Sequence, residues 1–189
     1  NLVVTSVMEY VRIYGMENTE RMDRIFRKRV HRADYVAEYQ RVYDANKVLF
    51  KGQPAVPFTF KDITGKKVSL SDLKGKYVYI DVWATWCGPC NAEIPHLKKL
   101  EEEFEGRNIY FVSISCADSR NAWERFVQVK QLGGIQLHMG GDKSFMEAIR
   151  CKGIPRFMLI DQDGKFLNAN MPRPSDGKTL EILNALPGL

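Results

Sequence analysis

The sequence contains no long run of apolar residues. None of its apolar segments approaches the roughly 20 residues that a helix needs to cross a bilayer. Its 189 residues are 44% hydrophobic and 27% charged, which is typical of a globular protein that folds in water. The chain begins at Asn1 rather than at a methionine. We therefore expect a processed or shortened chain, from which a signal peptide, a lipid anchor or a further domain is missing.

Cysteine is also scarce. Four cysteines are too few to hold a chain of this length together as a disulfide scaffold. Two of them, Cys87 and Cys90, are separated by two residues, and a tetrahedral zinc site would need two further ligands at a suitable spacing. The other candidates form no second pair: Cys116, Cys151, His31, His96 and His138. The sequence therefore predicts no metal site.

Acidic residues are scarce between residues 21 and 32. The net charge is +5, and six basic residues in this region are opposed locally only by Asp23. These basic residues repeat at helical spacing: Arg21, Arg24, Arg27, Lys28, Arg29 and Arg32. No basic–aromatic pattern or nucleic-acid motif accompanies them, so we predict a solvated helix face and no nucleic-acid partner.

Five consecutive residues form the clearest chemical motif: Trp86, Cys87, Gly88, Pro89 and Cys90. An apolar strand-like run at 77–82 leads into the motif, and a helix-like run at 91–105 leads away. Free N–H groups at the start of a helix favour the thiolate form of a cysteine placed there. If they lower the thiol pKa from about 8.5 to about 7, about half of the thiol is ionised at neutral pH. The spacing predicts thiol–disulfide exchange, with an exposed Cys87 as nucleophile and Cys90 as resolving thiol.

The chain divides into two regions of different character. Residues 1–53 carry apolar residues three or four apart, which predicts a helical extension. A short helix is expected from Thr5 or Ser6 to Tyr14, and one or two further helices after a cap at Asn18. The segment 51–54 interrupts this pattern, so a second domain is predicted at 54–189.

The second region is predicted to be an α/β domain. Strands are expected at 58–60, 67–70, 77–82, 108–115, 135–139, 156–160 and 165–167. Helices are expected at 91–105, 123–132 and 145–149, and after a cap at Ser175, while Ser71 is expected to cap a single turn. The order β-β-β-α-β-α-β-α-β-β-α indicates a mixed central sheet flanked by helices.

Residues 54–189 resemble the thioredoxin fold. The resemblance rests on the segment 81–90, on Pro95 five residues after the second cysteine, and on Ile154-Pro155, which matches the family's cis-proline dipeptide. It implies that a cis-proline faces the dithiol and that Ile154 offers backbone groups to a bound peptide. Pro95 is expected to bend the helix that follows the dithiol.

Asp81 lies six residues before Cys87, in the middle of an apolar strand. A lone carboxylate is costly to bury as an ion, and burial raises its pKa toward the range where it exchanges a proton with Cys90. Alternation along the strand offers a second interpretation, in which Asp81 simply faces solvent. The resemblance favours the proton-transfer role.

The front hairpin and the insert between Ser115 and Asp142 resemble the periplasmic TlpA/ResA (AhpC/TSA-redoxin-like) branch of this fold. Glu93 occupies the position of that branch's active-site glutamate. It is therefore a candidate second proton acceptor, with an ordinary exposed helix acid as the alternative. Arg156 follows the cis-proline where many relatives have a small or hydroxylated residue, and we expect it to favour acidic substrates.

The resemblance implies a protein thiol-disulfide oxidoreductase of an extracytoplasmic compartment, either the bacterial periplasm or a membrane-anchored position facing it. Gly-Pro between the cysteines resembles the reducing thioredoxins, so we expect a reductase whose redox group is the Cys87–Cys90 disulfide, with no other cofactor. The expected partners are disulfide-containing proteins and an upstream thiol reductant, which is either soluble or bound to a membrane. Substrate contacts are expected from Trp86, Gly88, Pro89, Ile154, Pro155 and Arg156.

The sequence is also compatible with two alternative functions. A peroxiredoxin-like peroxidase would share the hairpin and insert, although Ile80 and Ala84 replace the proline and threonine of the Pro-x-x-x-Thr-x-x-Cys pattern. A metal-delivery or protein-binding module could use the same fold without catalysis. Cys116 and Cys151 are expected to be buried free thiols, with a second disulfide as the alternative.

Overall fold

The structure is a computed structural model that describes residues 20–189. The helix expected from Thr5 or Ser6 to Tyr14 and the cap at Asn18 lie outside the described residues. Two helices follow, α1 (Glu20–Arg29) and α2 (Ala33–Asn46). The helical character expected for this part of the extension is therefore confirmed.

A seven-stranded mixed sheet forms the centre of the second region, in the spatial order β2-β1-β5-β4-β3-β6-β7. The strands are β1 Thr59–Asp62, β2 Lys67–Ser69, β3 Tyr77–Trp83, β4 Ile109–Ser115, β5 Ile135–His138, β6 Arg156–Ile160 and β7 Phe166–Asn168. Strand β4 pairs in parallel with β3 and β5, and the other neighbours are antiparallel. The predicted order of elements and the mixed sheet are confirmed.

Four helices follow strands of this sheet. They are α3 Gly88–Glu103, α4 Arg120–Lys130, α5 Ser144–Ala148 and α6 Gly177–Asn184. Leu97 and Leu100 of α3 and Leu183 of α6 share an apolar cluster with one face of the sheet. Phe145, in α5, belongs to the cluster on the opposite face. The sheet is therefore covered on both sides.

Strand β3 is buried along its whole length. Because side chains alternate along a strand, Tyr79 and Asp81 point to one face, and Val78 and Ile80 to the other. Tyr79 packs with the helix residue Leu97. This register places the Asp81 carboxyl beneath α3, the helix that begins at the dithiol.

The helices α1 and α2 form a small apolar cluster of their own. Phe26 stacks on Tyr39 with ring centroids 4.0 Å apart, and Phe50 completes the cluster. The basic residues described in this part of the chain are exposed, which confirms the solvated face: Arg24, Arg27, Lys28, Arg29 and Arg32. From residue 20 to the C-terminus, no helix is long and apolar enough to cross a membrane.

The segment after α2 connects the extension to the sheet. Leu49 is buried in the cluster that contains Val78 and Ile80. The Gly52 N–H donates to the Phe166 carbonyl at 2.7 Å. The domain boundary after residue 53 stays a prediction.

Two of the predicted helix caps are wrong. The turn Leu70–Leu73 is capped by Ser69 rather than Ser71, because the Asp72 carboxylate accepts a 2.8 Å hydrogen bond from the Ser69 N–H in a capping box. Helix α6 is capped by Asp176, whose carboxylate accepts from the Lys178 N–H at 3.0 Å. Ser175 instead binds a glutamate of the candidate active site.

Candidate active site

The two cysteines of the motif form a disulfide at the start of α3. Cys87 is the N-cap residue, and its sulfur accepts a hydrogen bond from the Cys90 N–H at 3.2 Å. Pro89 is accommodated because a first-turn residue has no intrahelical N–H partner to lose. A reduced Cys87 at this position would keep an N–H donor and the positive end of the helix dipole beside its sulfur.

The exposure expected for Cys87 is wrong. Only 4% of Cys87 is exposed. The disulfide turns its sulfur toward Cys90, and both cysteines share an apolar cluster with Trp83 and Trp123. Trp86, by contrast, is 66% exposed and lies beside the disulfide as a surface aromatic residue.

The Ile154–Pro155 peptide bond is cis, as the resemblance implied. The Ile154 carbonyl oxygen lies 3.8 Å from the Cys87 sulfur. Ile154 also packs against the cluster that contains both cysteines. The cis-proline dipeptide and the dithiol, 67 residues apart in sequence, are therefore adjacent in the fold. Gly88 and Pro89, which lie between the two cysteines, are exposed.

The loop before the disulfide is held by Asp118, a residue outside the predicted site. The Asp118 carboxylate accepts hydrogen bonds from the Thr85 N–H at 3.0 Å, from the Thr85 hydroxyl at 2.6 Å and from the Ser115 hydroxyl at 2.6 Å. The Thr85 carbonyl accepts in turn from the Asn91 side chain at 3.0 Å. No local sequence pattern indicates the contact between this carboxylate and Thr85, because the two residues are 33 positions apart.

Asp81 is buried, which excludes the solvent-facing alternative. Burial, together with the negative charges of Glu93 and Glu101, raises its pKa to about 8. Its Oδ1 atom has no hydrogen-bond partner within the protein. The carboxyl therefore keeps its proton well above the pH at which a solvated aspartate ionises.

Glu93 is also buried, at 6% exposure, so it is not an ordinary surface acid. Its two carboxylate oxygens accept hydrogen bonds from the Ser175 N–H and the Ser175 hydroxyl, both at 2.9 Å. Arg173 approaches one of these oxygens at 3.8 Å. The glutamate thus ties the helix of the dithiol to the loop before α6.

The other predicted residues occupy the edge of the site. Arg156 is half-buried in β6 next to the cis-proline, and its guanidinium donates to the Asn170 side chain at 2.6 Å. Cys116 and Cys151 are free thiols, as expected, but both are only partly buried. Burial, together with the nearby Cys151, raises the pKa of Cys116 to about 11. No group of three potential metal ligands occurs within residues 20–189.

A Cys-x-x-Cys disulfide that caps a helix and faces a cis-proline on a mixed sheet defines a thiol-disulfide oxidoreductase of the thioredoxin fold. The chain belongs to the AhpC/TSA family, which matches residues 51–168. Thiol-disulfide oxidoreductase ResA of Bacillus subtilis (strain 168) is 30% identical to it over 152 residues, which cover 79% of this chain and 84% of the relative.

Two solved structures from Bacteroides vulgatus are also similar. A solution structure of a candidate thiol-disulfide oxidoreductase is 60% identical, with a TM-score of 0.65, and the match covers 70% of this chain and 88% of that one. A crystal structure of another candidate thiol-disulfide oxidoreductase is 37% identical, with a TM-score of 0.69. The match covers 73% of this chain and 97% of that one. The predicted family, fold class and thiol-disulfide oxidoreductase activity are confirmed.

Proposed function

We propose that the protein reduces disulfides in protein substrates through a mixed disulfide on Cys87. The position of the Cys87 sulfur supports this best, because it caps α3 and lies 3.8 Å from the Ile154 carbonyl. A substrate strand pairing with Ile154 would bring its own disulfide to this sulfur. Trp86, Gly88 and Pro89 would form the opposite, exposed side of the contact.

The reaction runs in two exchanges. The Cys87 thiolate attacks one sulfur of the substrate disulfide, a new S–S bond forms, and the other substrate sulfur leaves as a thiolate. Cys90 then attacks the Cys87 sulfur, which forms the Cys87–Cys90 bond and releases the second substrate sulfur. The electron pair comes from the dithiol, so the exchange requires no further cofactor.

Asp81 is the proposed proton acceptor for Cys90. A carboxyl with a pKa raised to about 8 is a stronger base than a solvated aspartate and is matched to a thiol near neutral pH. Glu93 is a proposed second proton acceptor, held in place by Ser175. Arg156, beside the cis-proline, would favour substrates with acidic residues near the disulfide.

The proposal includes the direction of the redox reaction and the cellular compartment in which it takes place. Reduction is favoured by the Gly-Pro pair between the cysteines, as in the thioredoxins. The likeness to ResA supports an extracytoplasmic location. There, an upstream thiol reductant, either soluble or bound to a membrane, would reduce the Cys87–Cys90 disulfide back to the dithiol. A reduction potential near −270 mV supports a reductase, whereas a value near −120 mV would make the protein an oxidant.

Trapping tests the proposed intermediate directly. The Cys90→Ser variant lacks the resolving thiol, so substrate proteins should remain covalently bound to Cys87 and be released by a small thiol reductant. The matched Cys87→Ser variant keeps Cys90 but lacks the nucleophile, and it should trap nothing. Equal trapping by both variants would refute the assignment of Cys87 as the attacking thiol.

A further inference from the structure

A narrow cavity extends from Asp81 along the inner face of α3. It is lined by Asp81, Trp83, Ile94, Leu97, Lys98, Glu101, Ser113, Leu132, Gly133 and Gln136. Its volume of about 10 Å³ is close to the smallest space that holds one water molecule. Asp81 Oδ1 and Gln136 Oε1 are both buried atoms without a hydrogen-bond partner in the protein. Two of the residues that line the cavity thus carry a buried acceptor atom that a water molecule could satisfy.

Glu101 is a second carboxyl in the lining of this cavity. Cys90, Ile94, Leu97 and Glu101 are spaced by four, three and four residues, which puts all of them on the same face of α3. Glu101 therefore occupies a position on the buried stripe of the helix, but it is partly exposed where the stripe ends. The cavity is therefore lined both by the proposed proton acceptor, Asp81, and by a second carboxyl that is partly exposed to solvent.

The glycines between α4 and β5 leave the space that the Glu101 carboxylate occupies. A Cβ atom added at Gly133 would come within 2.4 Å of Glu101 Oε2, so only glycine leaves room for the carboxylate there. Lys98 lines the same cavity and donates a hydrogen bond to the Lys130 carbonyl at 2.7 Å. Its ammonium group favours the ionised form of Glu101.

We infer that Glu101 relays protons between Asp81 and solvent through this cavity. Glu101 touches neither sulfur, so it is a positioning residue that acts through Asp81. The inference rests on the proton-transfer role of Asp81 in the proposed function. When Cys90 attacks the mixed disulfide, its proton passes to the Asp81 carboxylate, then through the cavity to the Glu101 carboxylate, and from there to solvent. When the disulfide is reduced again, the proton follows the reverse path.

The electrostatics of the two carboxyls suit this transfer. Burial is the main cause that raises the pKa of Glu101 to about 7, close to the value of about 8 for Asp81. A proton moves between groups of similar pKa with little free-energy cost. The ionisable groups that interact with either carboxyl are Tyr79 on β3, Glu93, Lys98 and Glu102 on α3, and Cys116 after β4.

The resolving step can be followed with an aromatic disulfide reagent whose thiolate product absorbs visible light. The reduced enzyme releases one thiolate when Cys87 attacks and a second when Cys90 attacks, so the second phase reports proton loss from Cys90. All variants carry Cys116→Ala and Cys151→Ala, which removes the two other thiols. The rate of this phase is measured against pH at low and at high imidazole concentration.

We expect Glu101→Gln to slow the second phase about tenfold or more at low buffer concentration. High imidazole should restore the rate, because the buffer then accepts the proton in place of Glu101. The midpoint of the pH profile should also move to lower pH, since a negative charge that raises the pKa of Asp81 is lost. The matched control is Glu103→Gln, an exposed residue of the same helix, and it should behave like the parent enzyme.

A second variant keeps the negative charge of Glu101 but changes the position of its carboxylate. Gly133→Ala should displace the Glu101 carboxylate from the cavity and produce the same dependence on buffer, whereas Gly141→Ala, in open space, should not. If Asp81→Asn leaves the second phase unchanged, the proposed role of Asp81 fails. If Asp81→Asn slows it but Glu101→Gln matches Glu103→Gln at every buffer concentration, the proton relay alone is refuted.

Discussion

At the scale of single residues, Asp81 links the stability of the fold to pH. Its carboxyl is protonated in the folded protein up to a pKa of about 8, whereas the unfolded chain ionises it near its ordinary value of 3.8. Between these values the unfolded state releases a proton that the folded state retains. Stability is therefore highest below the unfolded pKa and falls as the pH rises through the folded pKa.

We predict that Asp81→Asn removes this loss of stability. Four pKa units correspond to about 5 kcal/mol, which is an upper limit for the gain of the variant over the parent at pH 9. The gain should shrink toward zero near pH 4. Guanidinium unfolding of the oxidised protein at several pH values measures it.

The exposed Asp163 provides the control for this experiment. Asp163→Asn should leave the pH dependence of the free energy of unfolding as it is in the parent. If the parent and Asp81→Asn lose stability equally between pH 5 and 9, then Asp81 does not retain its proton in the folded state.

The charged residues of the site differ in how far the sequence predicts them. Asp81 was predicted because a carboxylate in an apolar strand violates the burial pattern, and Glu93 because it matches a family position. Glu101 was missed, although its spacing from Cys90 places it on the apolar stripe of α3. The burial of Cys87 could not be predicted, because it depends on Trp123 and Ile154, which only the tertiary fold brings near.

At the scale of elements, the loop that precedes the dithiol depends on one carboxylate. Asp118 receives two hydrogen bonds from Thr85 and one from Ser115. Hydrogen bonds to a charged group contribute about 1.5–3 kcal/mol each when both partners are present. Removing the carboxylate would leave the buried Ser115 hydroxyl without this acceptor.

We predict that Asp118→Ala lowers the free energy of unfolding by about 2–4 kcal/mol, because three donors lose their acceptor. It should also lower kcat/KM for disulfide reduction, since the loop positions Cys87 at the helix start. Chemical denaturation and a steady-state reduction assay measure the two effects. Asp118→Asn, which keeps the shape and one acceptor oxygen, should recover part of both. Equal losses in Asn and Ala would show that charge alone matters.

The strands and helices themselves were predictable from periodicity, whereas their caps were less so. Strand β3 is apolar except for Asp81, and α3 follows it with apolar residues on one face. The errors at Ser71 and Ser175 arose because a serine next to a helix start competes with its neighbours. Ser69 has Asp72 as a capping-box partner, and Ser175 is engaged by Glu93, which is 82 residues away.

At the scale of the whole molecule, the described residues contain apolar clusters that do not coincide with the predicted boundary at residue 53. Phe26 and Tyr39 pack with each other and with neighbouring residues of the extension. Leu49 precedes the boundary but is buried among residues of β3, β4 and β6. The sequence break at 51–54 marks where helices end, which need not be where the domain core begins.

This arrangement predicts different effects for two core substitutions in the extension. Leu49→Ala should lower the free energy of unfolding of the thioredoxin-like domain by about 2–4 kcal/mol, because it opens a cavity in the core. Phe26→Ala should change it by less than about 0.5 kcal/mol, because the residues it contacts are separate from that core. All three tryptophans lie between residues 83 and 123, so their fluorescence reports the domain alone, while far-ultraviolet circular dichroism also reports α1 and α2. A loss of domain stability in Phe26→Ala as large as that in Leu49→Ala would show that the extension and the domain unfold as one unit.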